Sequence, residues 1–543
     1  MSKKINELLG ELNSDFLSLV PFINEEIEKI NQKSVKDEKN LFSNEDTILI
    51  TYADQFNEQG KSNFESLNSF MTNELKGVVN TVHILPFYPW TSDDGFSPVD
   101  YKEVKKEYGT WEDVEKISYK KMYDCVYNHI SSESPFFKKA LEGDEKAISM
   151  FHIYSEKEYG TEDFQENIKK VVRPRTHPLF SEYEINGKKH YVWTTFSKDQ
   201  IDTNLNNVDM LKYILESFFL YIQTGARFFR VDAVPFIWKE LGTNCSHLEK
   251  THKFVQLIRA IIDSLNLNLY LVTESNVPHQ ENITYWGDGE NEAHIIYNFS
   301  LSPLILHGLT FKTNQYLNKW ASEVFKIGKK TTYLNFTASH DGIGMRGLEG
   351  IVPEGDIEKL CHIVEQNGGK VGKKRSRDGS EKPYELNITW ASFLKDSRLS
   401  DEENIRKVVN SHAIVMFFPG IGAHYVHNFL GSENWQEGFE ESGIPRRLNR
   451  KKFNYPLDLN ERENQIKNDL VDLIAYKNSE ELFRADKSIR MINIHEECLC
   501  FERYDDNDVI RVYMNLSDRE LQLERIRLKA YDLQFVKNGK LIA

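Results

Sequence analysis

A chain of 543 residues, 40% hydrophobic and 12% aromatic, is long enough for about three domains with large buried cores. Its formal net charge of −15 excludes a broad basic surface, and with it binding to nucleic acid or to an anionic membrane. No apolar run approaches the roughly 18 residues of a membrane span, and the amino-terminal MSKKINELLGELNSDF has no apolar core to make a signal peptide.

In chain order, residues 1–45 read as helical and then linker-like, closing on the charged QKSVKDEKN. From residue 46 apolar runs of strand length alternate with amphipathic stretches such as 62-SNFESLNSFMTNEL, the pattern of a parallel α/β sheet. The runs are ILITY, VVNTVHILPF (78–87), KMYDCVY (121–127), ARFFRV (226–231), LYLVTE (269–274), HIIYNF (294–299), TTYLNFT (331–337) and HAIVMFF (412–418). Eight strands close a barrel.

The expected fold class is α/β: a (β/α)8 TIM barrel over 46–129 and 206–474, with a lid subdomain inserted after strand 3 at 130–205. A second barrel insert, 343–405, contains the basic, glycine-rich 368-GGKVGKKRSRDGSEKP, read as a mobile loop. Period-two alternation from 475 to 543 marks a C-terminal antiparallel β domain. Cys125, Cys245, Cys361, Cys498 and Cys500 are odd in number and scattered, which reads as reduced thiols of a cytoplasmic protein without a zinc or redox site.

Four segments, 124-DCVYNH, 228-FFRVDAV, 271-LVTESN and 337-TASHDG, each end an apolar run in an ionisable residue. That is how barrel strands deliver side chains to the C-terminal mouth. Three of those residues, Asp232, Glu274 and Asp341, are the carboxylates that glycosidic-bond chemistry needs, with nucleophile and acid about 5–5.5 Å apart in a retaining displacement. Arg230 precedes Asp232 by two residues and shares its strand face, so its guanidinium is expected to lower the Asp232 pKa. Glu274, at an apolar strand end, is expected to be partly desolvated, with a raised pKa that suits a general acid. The bland alternatives are a structural Arg–Asp pair and a glutamate opening the next helix.

The order and flanks of these motifs resemble the α-amylase superfamily (glycoside hydrolase family 13), and within it the sucrose phosphorylase branch. The resemblance spans residues 46 to 460 and implies that Asp232 is the nucleophile, Glu274 the acid/base and Asp341 the transition-state stabiliser. It further implies that His129, Arg230 and His340 bind the glucosyl unit, and that Asp93 and Phe96 of 86-PFYPWTSDDGFSPVDY hold and stack on it. Phe196 and Gln200 match positions lining the donor pocket, and Arg450 the arginine that closes it from the eighth unit. For both aromatic rings the alternative is ordinary core packing.

On the acceptor side, Arg173 and Arg175 of 171-VVRPRTHPLF flank a proline that stiffens the backbone, a pairing suited to an oxyanion. By residue type alone a solvated charge pair on the lid is slightly favoured, since exposed arginines are common; the resemblance reverses this and places Arg175 against phosphate. Tyr384 and Glu385 match the branch's acceptor loop, but Glu385 stands where sucrose phosphorylases have glutamine, and Asn276 where they have histidine. A carboxylate only accepts where an amide also donates. The segments VVRPR and YELN look more like the glucosylglycerate phosphorylase subgroup, and a carboxylate substrate beside Glu385 would need a cation, for which the lysines and arginines of 370–377 are candidates.

The function this implies is a retaining glycoside phosphorylase that transfers an α-glucosyl unit from a small α-glucoside (glucosylglycerate favoured, sucrose or its phosphate as alternatives) to inorganic phosphate, giving α-D-glucose 1-phosphate by double displacement. The alternatives are an α-glucosidase or transglucosidase of the same superfamily and, remotely, a non-catalytic sugar-binding relative. No cofactor and no metal is expected, and the partners are small-molecule substrates, with oligomeric state not legible.

Overall fold

A computed structural model describes residues 2–33, 42–325, 330–375, 381–523 and 526–542. Eight parallel strands close a barrel: β1 (Thr47–Thr51), β2 (Thr81–Ile84), β3 (Lys120–Cys125), β4 (Ala226–Val231), β5 (Tyr270–Thr273), β6 (Ile295–Tyr297), β7 (Thr332–Phe336) and β8 (Ile421–Tyr425). Each pairs with its sequence neighbours and β1 closes against β8, with Thr47 opposite Gly422. Runs such as TILIT and TYLNF are buried along their whole length, because helices cover the outside and side chains fill the inside.

Seven of the expected runs overlap these strands; the eighth does not. HAIVMFF lies in the helix Asp401–Phe417, which a Ser400/Glu403 capping box starts, and β8 is the following IGAHY segment. The reason is burial on every side. Residues His412 to Phe417 are all buried, and Phe417 packs against Phe483 and Phe535 of the C-terminal region. A helix apolar all round loses its 3.6-residue signature and reads like a buried strand.

The N-terminal helix Ser2–Leu12 docks on the outer barrel helix Glu249–Asp263 with Leu8 and Leu9 buried, and Val20–Lys33 packs on Val208–Gln223, where Phe22 meets Phe219 edge-on at 5.9 Å. An ion pair of 2.7 Å between Lys253 and Glu11 and a 3.0 Å bond from Asn31 to the Ser264 carbonyl fix their orientation. Most of the charged QKSVKDEKN stretch lies outside the described residues.

The lid leaves and rejoins the barrel through an antiparallel ribbon, His129–Ser131 with Gln200–Asp202. Beyond it a three-stranded sheet (Ile153–Ser155, Phe180–Ile185, Lys188–Trp193) encloses a separate small core around Phe164, Phe180 and Trp193. Lys239, after β4, ties the ribbon to the barrel by a buried 2.6 Å ion pair to Asp202 and a 2.7 Å bond to Asn128.

Within the basic segment expected as a mobile loop, Lys370–Arg375 is a strand that pairs antiparallel with Glu381–Asn387, which also pairs with Ile343–Gly344, and 376–380 lie outside the described residues. The last barrel helix, Glu461–Ser479, runs past residue 475, so the five-stranded antiparallel sheet of the C-terminal region begins at Ser488. All five cysteines are free. Among the described residues no helix is long and apolar enough to cross a membrane.

Candidate active site

At the C-terminal mouth of the barrel lies a cavity of about 800 Å³, walled by the barrel strand ends, the lid, and the three-stranded sheet of the second insert. The register of β4 and β5 sets its floor. Val231 pairs with Thr273, and the ladder continues as the Glu274 N–H donates to the Val231 carbonyl at 3.1 Å, so Asp232 and Glu274 emerge side by side. Asp341 follows β7, and all three carboxylates line the cavity.

Arg230 is their common partner. It is buried, and its Nη1 donates to Asp232 Oδ1 at 2.8 Å while its Nη2 stands 3.7 Å from Glu274 Oε2. The same guanidinium donates to Asp124, a fully buried carboxylate that also pairs with His83 Nε2 at 2.7 Å. Adjacent parallel strands run about 4.8 Å apart, a spacing that allows carboxylates at neighbouring strand ends to approach the roughly 5–5.5 Å of a retaining pair.

The environments of the three carboxylates differ. Burial raises the pKa of Glu274 to about 7, with the negative charges of Asp232 and Asp341 adding to the shift and Arg230 opposing it. Asp341 is also buried, but Arg446, His340 and Arg450 outweigh that and hold it well below the usual carboxylate range. Asp232 departs from expectation. Burial raises its pKa above the ordinary aspartate value, and the opposing pull of Arg230 and His129 does not reverse it. A pattern of neighbours along one strand shows the guanidinium but not the depth of the pocket.

His129, Phe196, Gln200, Asp93 and Phe96 all line the cavity. His129 Nε2 donates to the Phe96 carbonyl at 2.7 Å, and Gln200 Nε2 reaches the same oxygen at 2.8 Å, which ties the lid ribbon to the loop after β2. In that loop Asp93 and Asp94 both have φ of 51°, and Gly95 has φ of 112° with no room for a Cβ, which would meet the Pro86 carbonyl oxygen at 2.4 Å. The double turn aims Asp93 into the cavity and Asp94 toward Arg450, whose Nη1 holds Asp94 Oδ2 at 2.7 Å.

Arg230, His340 and Arg450 do not line the cavity. They stand behind it. Arg450 is buried, with its Nε on the His340 carbonyl at 3.0 Å and its Nη2 at 3.4 Å from Asp341. The His340 ring lies parallel to Phe96 at 4.8 Å, and burial lowers its pKa to about 3. All three support the carboxylates and the Phe96 ring from the protein side.

Arg173, Arg175, Asn276, Tyr384 and Glu385 line the outer part of the same cavity. Arg175 lies over the rings of Tyr384 and Phe196, 5.3 and 6.0 Å from their centroids, with its Nη1 at 3.7 Å from Glu385. Arg173 is turned back to the His177 carbonyl. Among the described residues the cation closest to Glu385 is Arg446, which forks onto it at 2.9 and 3.2 Å, and whose Nη1 also reaches Asp341 at 2.9 Å and Asp93 at 3.3 Å. Burial raises the Glu385 pKa, but Arg446 and Arg175 outweigh it and keep the group ionised below its ordinary value. Of the candidate cations in 370–377, Lys374 lines the cavity, and 376–377 lie outside the described residues.

Sequence reading missed Arg446, Asp124, Asp94 and Arg346. The first had a signal, since Arg446 precedes Arg450 by four residues in IPRRLNR and the Pro445–Asn449 turn brings both to Asp341. Among the described residues no group of three or more His, Cys, Asp or Glu side chains is arranged to hold a metal ion.

The α-amylase catalytic-domain family model matches residues 73–342. The chain is 36% identical over 505 residues to the glucosylglycerate phosphorylase of Escherichia coli (strain K12), covering 91% of this chain and 89% of that protein. It is 42% identical over 412 residues to the glucosylglycerate phosphorylase of Spirochaeta thermophila, covering 76% and 68%. The crystal structure of sucrose 6F-phosphate phosphorylase from Thermoanaerobacter thermosaccharolyticum superposes with a TM-score of 0.77 at 23% identity, over 92% of this chain and 98% of that one, and so shares the fold.

Proposed function

The chain belongs to the α-amylase family, in the group that holds the glucosylglycerate phosphorylases, and from that premise we propose how its barrel mouth acts as a retaining glycoside phosphorylase. It transfers an α-glucosyl unit from a small α-glucoside to inorganic phosphate and releases α-D-glucose 1-phosphate. Asp232 attacks the anomeric carbon while Glu274 gives its proton to the departing oxygen, leaving a glucosyl ester and a free acceptor alcohol. A phosphate oxygen then displaces the Asp232 carboxylate, Glu274 takes up any proton that oxygen carried, and two inversions restore the α-configuration. Asp341, held ionised by Arg446 and Arg450, supports the positive charge on the ring in both transition states. Asp93, His129, Phe196 and Gln200 bind the sugar from the cavity wall, and Arg230, His340 and Arg450 keep the carboxylates and Phe96 in place behind it.

One observation carries the reading: a single guanidinium, Arg230, touches Asp232 and Glu274 at the ends of adjacent strands. Phosphate rather than water as acceptor is supported by the Arg175 side chain above Tyr384 and beside Glu385. Arg175→Ala is therefore expected to lower glucose 1-phosphate release about 100-fold while slow hydrolysis of the same donor persists. Assaying both products from one incubation checks this, and unchanged dependence on phosphate would favour a hydrolase or transglucosidase. Glucosylglycerate is the favoured donor, supported by the names of the relatives at 36 and 42% identity and by the carboxylate at Glu385. Free, mostly buried thiols suit a cytoplasmic setting.

The pH profile follows from the acid. Glu274 must enter protonated, and with its pKa at about 7 the protonated fraction falls about tenfold per pH unit above neutrality. For glucosylglycerate, kcat/KM measured from about pH 5 to 9 should fall on the alkaline side with a midpoint near 7. A flat alkaline limb would remove Glu274 as proton donor.

A further inference from the structure

The catalytic carboxylates occupy one end of the cavity, and the wall formed by the second insert is lined by charge that glucosyl transfer does not use. Among the described residues, six Lys and Arg side chains line the cavity: Lys169, Arg173, Arg175, Arg346, Lys374 and Arg446. Arg446 is committed to Glu385, Asp341 and Asp93, and Arg175 to Glu385 and two aromatic rings. Arg173 turns to the His177 carbonyl, and Lys169 pairs with Glu166 at the surface. Arg346 and Lys374 remain, and they share one carboxylate: Glu349 Oε1 lies 2.6 Å from Lys374 Nζ and 3.4 Å from Arg346 Nε. Glu349 is the carboxylate that both of them pair with, while Glu281, on the same cavity lining, is paired with His247.

Arg346 is also held at the right place. Its Nη1 is 3.4 Å from the backbone carbonyl of Asn276, two residues beyond Glu274. The glycine at 344 leaves room for the Phe299 and Asn276 side chains beside it, since a Cβ there would meet Phe299 at 2.9 Å and Asn276 Oδ1 at 3.0 Å. Met345 N–H donates to the Tyr384 carbonyl at 2.9 Å, so Arg346, Lys374, Tyr384 and Glu385 ride on one small sheet. Both contacts of Arg346 are long for a guanidinium, whose charged hydrogen bonds normally close to about 2.7–2.9 Å, so its fork is not saturated.

We propose that Arg346, with Lys374 beside it, is the specificity-determining receptor for a carboxylate on the leaving acceptor, so that this site selects α-glucosides of small hydroxy acids. This rests on the phosphorylase reading and extends it: Glu385, already paired with Arg446, is left to accept the acceptor's hydroxyl hydrogens, while the acceptor's acid group docks on Arg346, which contacts the backbone two residues beyond Glu274. The arrangement separates the two anions of the reaction, phosphate at the lid arginine and carboxylate at the insert.

The test runs in the synthetic direction, with glucose 1-phosphate as donor and D-glycerate or glycerol as acceptor, since the two differ only at the carboxylate. Release of phosphate from glucose 1-phosphate in the presence of arsenate reports glucosyl-enzyme formation with no acceptor bound. Arg346→Gln should lower kcat/KM for D-glycerate about 100-fold and change glycerol use and arsenate-dependent phosphate release less than about threefold. Lys374→Met should show the same split at about tenfold, which decides the matter should Arg346→Gln fold poorly. Equal losses with both acceptors, or undiminished use of D-glycerate, would overturn the assignment. A wild-type enzyme that glucosylates glycerol but not D-glycerate overturns it too and leaves phosphorolysis standing. One that releases no phosphate with any acceptor or with arsenate overturns both.

Discussion

An Asp232→Ala enzyme is expected to release glucose 1-phosphate at least about ten-thousandfold more slowly, because no other group in the cavity takes the place of the nucleophile. Asp341 lines the same cavity but is bound to Arg446 and Arg450 and held strongly ionised, which makes it a poor nucleophile toward a glucosyl centre. Glu274 carries the proton. The loss should therefore be in the chemical step, with donor binding largely preserved, and a direct binding measurement separates the two.

The same substitution should leave the fold intact. Burial raises the Asp232 pKa, so ionising it costs the native state stability; that cost is absent below the group's ordinary pKa and complete above its folded one. At neutral pH its removal relieves that cost, and Arg230 keeps Asp124 and Glu274 as counter-ions. A thermal midpoint near that of the wild type, together with the collapse in rate, is the expected pair of results. Undiminished turnover would end the double-displacement mechanism.

What the sequence shows of this site is what a strand end shows. Asp232, Glu274 and Asp341 each terminate a buried run whose type and length are local properties, so their meeting at one mouth follows once the runs are recognised as parallel strands. Distances through space are not local. Arg446 reaches Asp93 across 353 residues, and Arg450 reaches Asp94 across 356. Which of two adjacent aspartates faces the cavity depends on two consecutive left-handed residues, which the letters DDG permit but do not dictate. The KVGKKR strand has almost no β-branched content; its pairing with Glu381–Asn387 makes it a strand, a case of context overriding propensity. The helix taken for an eighth strand fails for the complementary reason, since burial on all sides removed the polar face that would have revealed its period.

Arg230→Met should have the largest combined effect on stability and rate. The side chain is buried and is the shared cation of Asp124, Asp232 and Glu274, with the Tyr297 and Phe96 rings 5.3 and 5.6 Å from its guanidinium carbon. Taking away one partner of a buried ionic cluster leaves charges that neither water nor protein neutralises, a loss of about 3–5 kcal/mol. Burial raises the Asp124 pKa, but in the native protein Arg230 and His83 outweigh it and keep the group below its ordinary value. Its contribution is thus present above the unfolded pKa and lost as pH falls through the folded one. Without Arg230 that depression shrinks, so the stability gap between wild type and variant should be widest near pH 8 and narrow toward about pH 4 as the carboxylates take up protons. Arg230→Lys keeps a charge but not the fork that spans Asp232 and Glu274, and should recover part of the stability and little of the rate. Denaturant unfolding of the three proteins at several pH values reads this directly. A gap that stays constant across pH, or one below about 1 kcal/mol, would mean that the three carboxylates are neutralised from elsewhere, and the common-cation account of the site would fail.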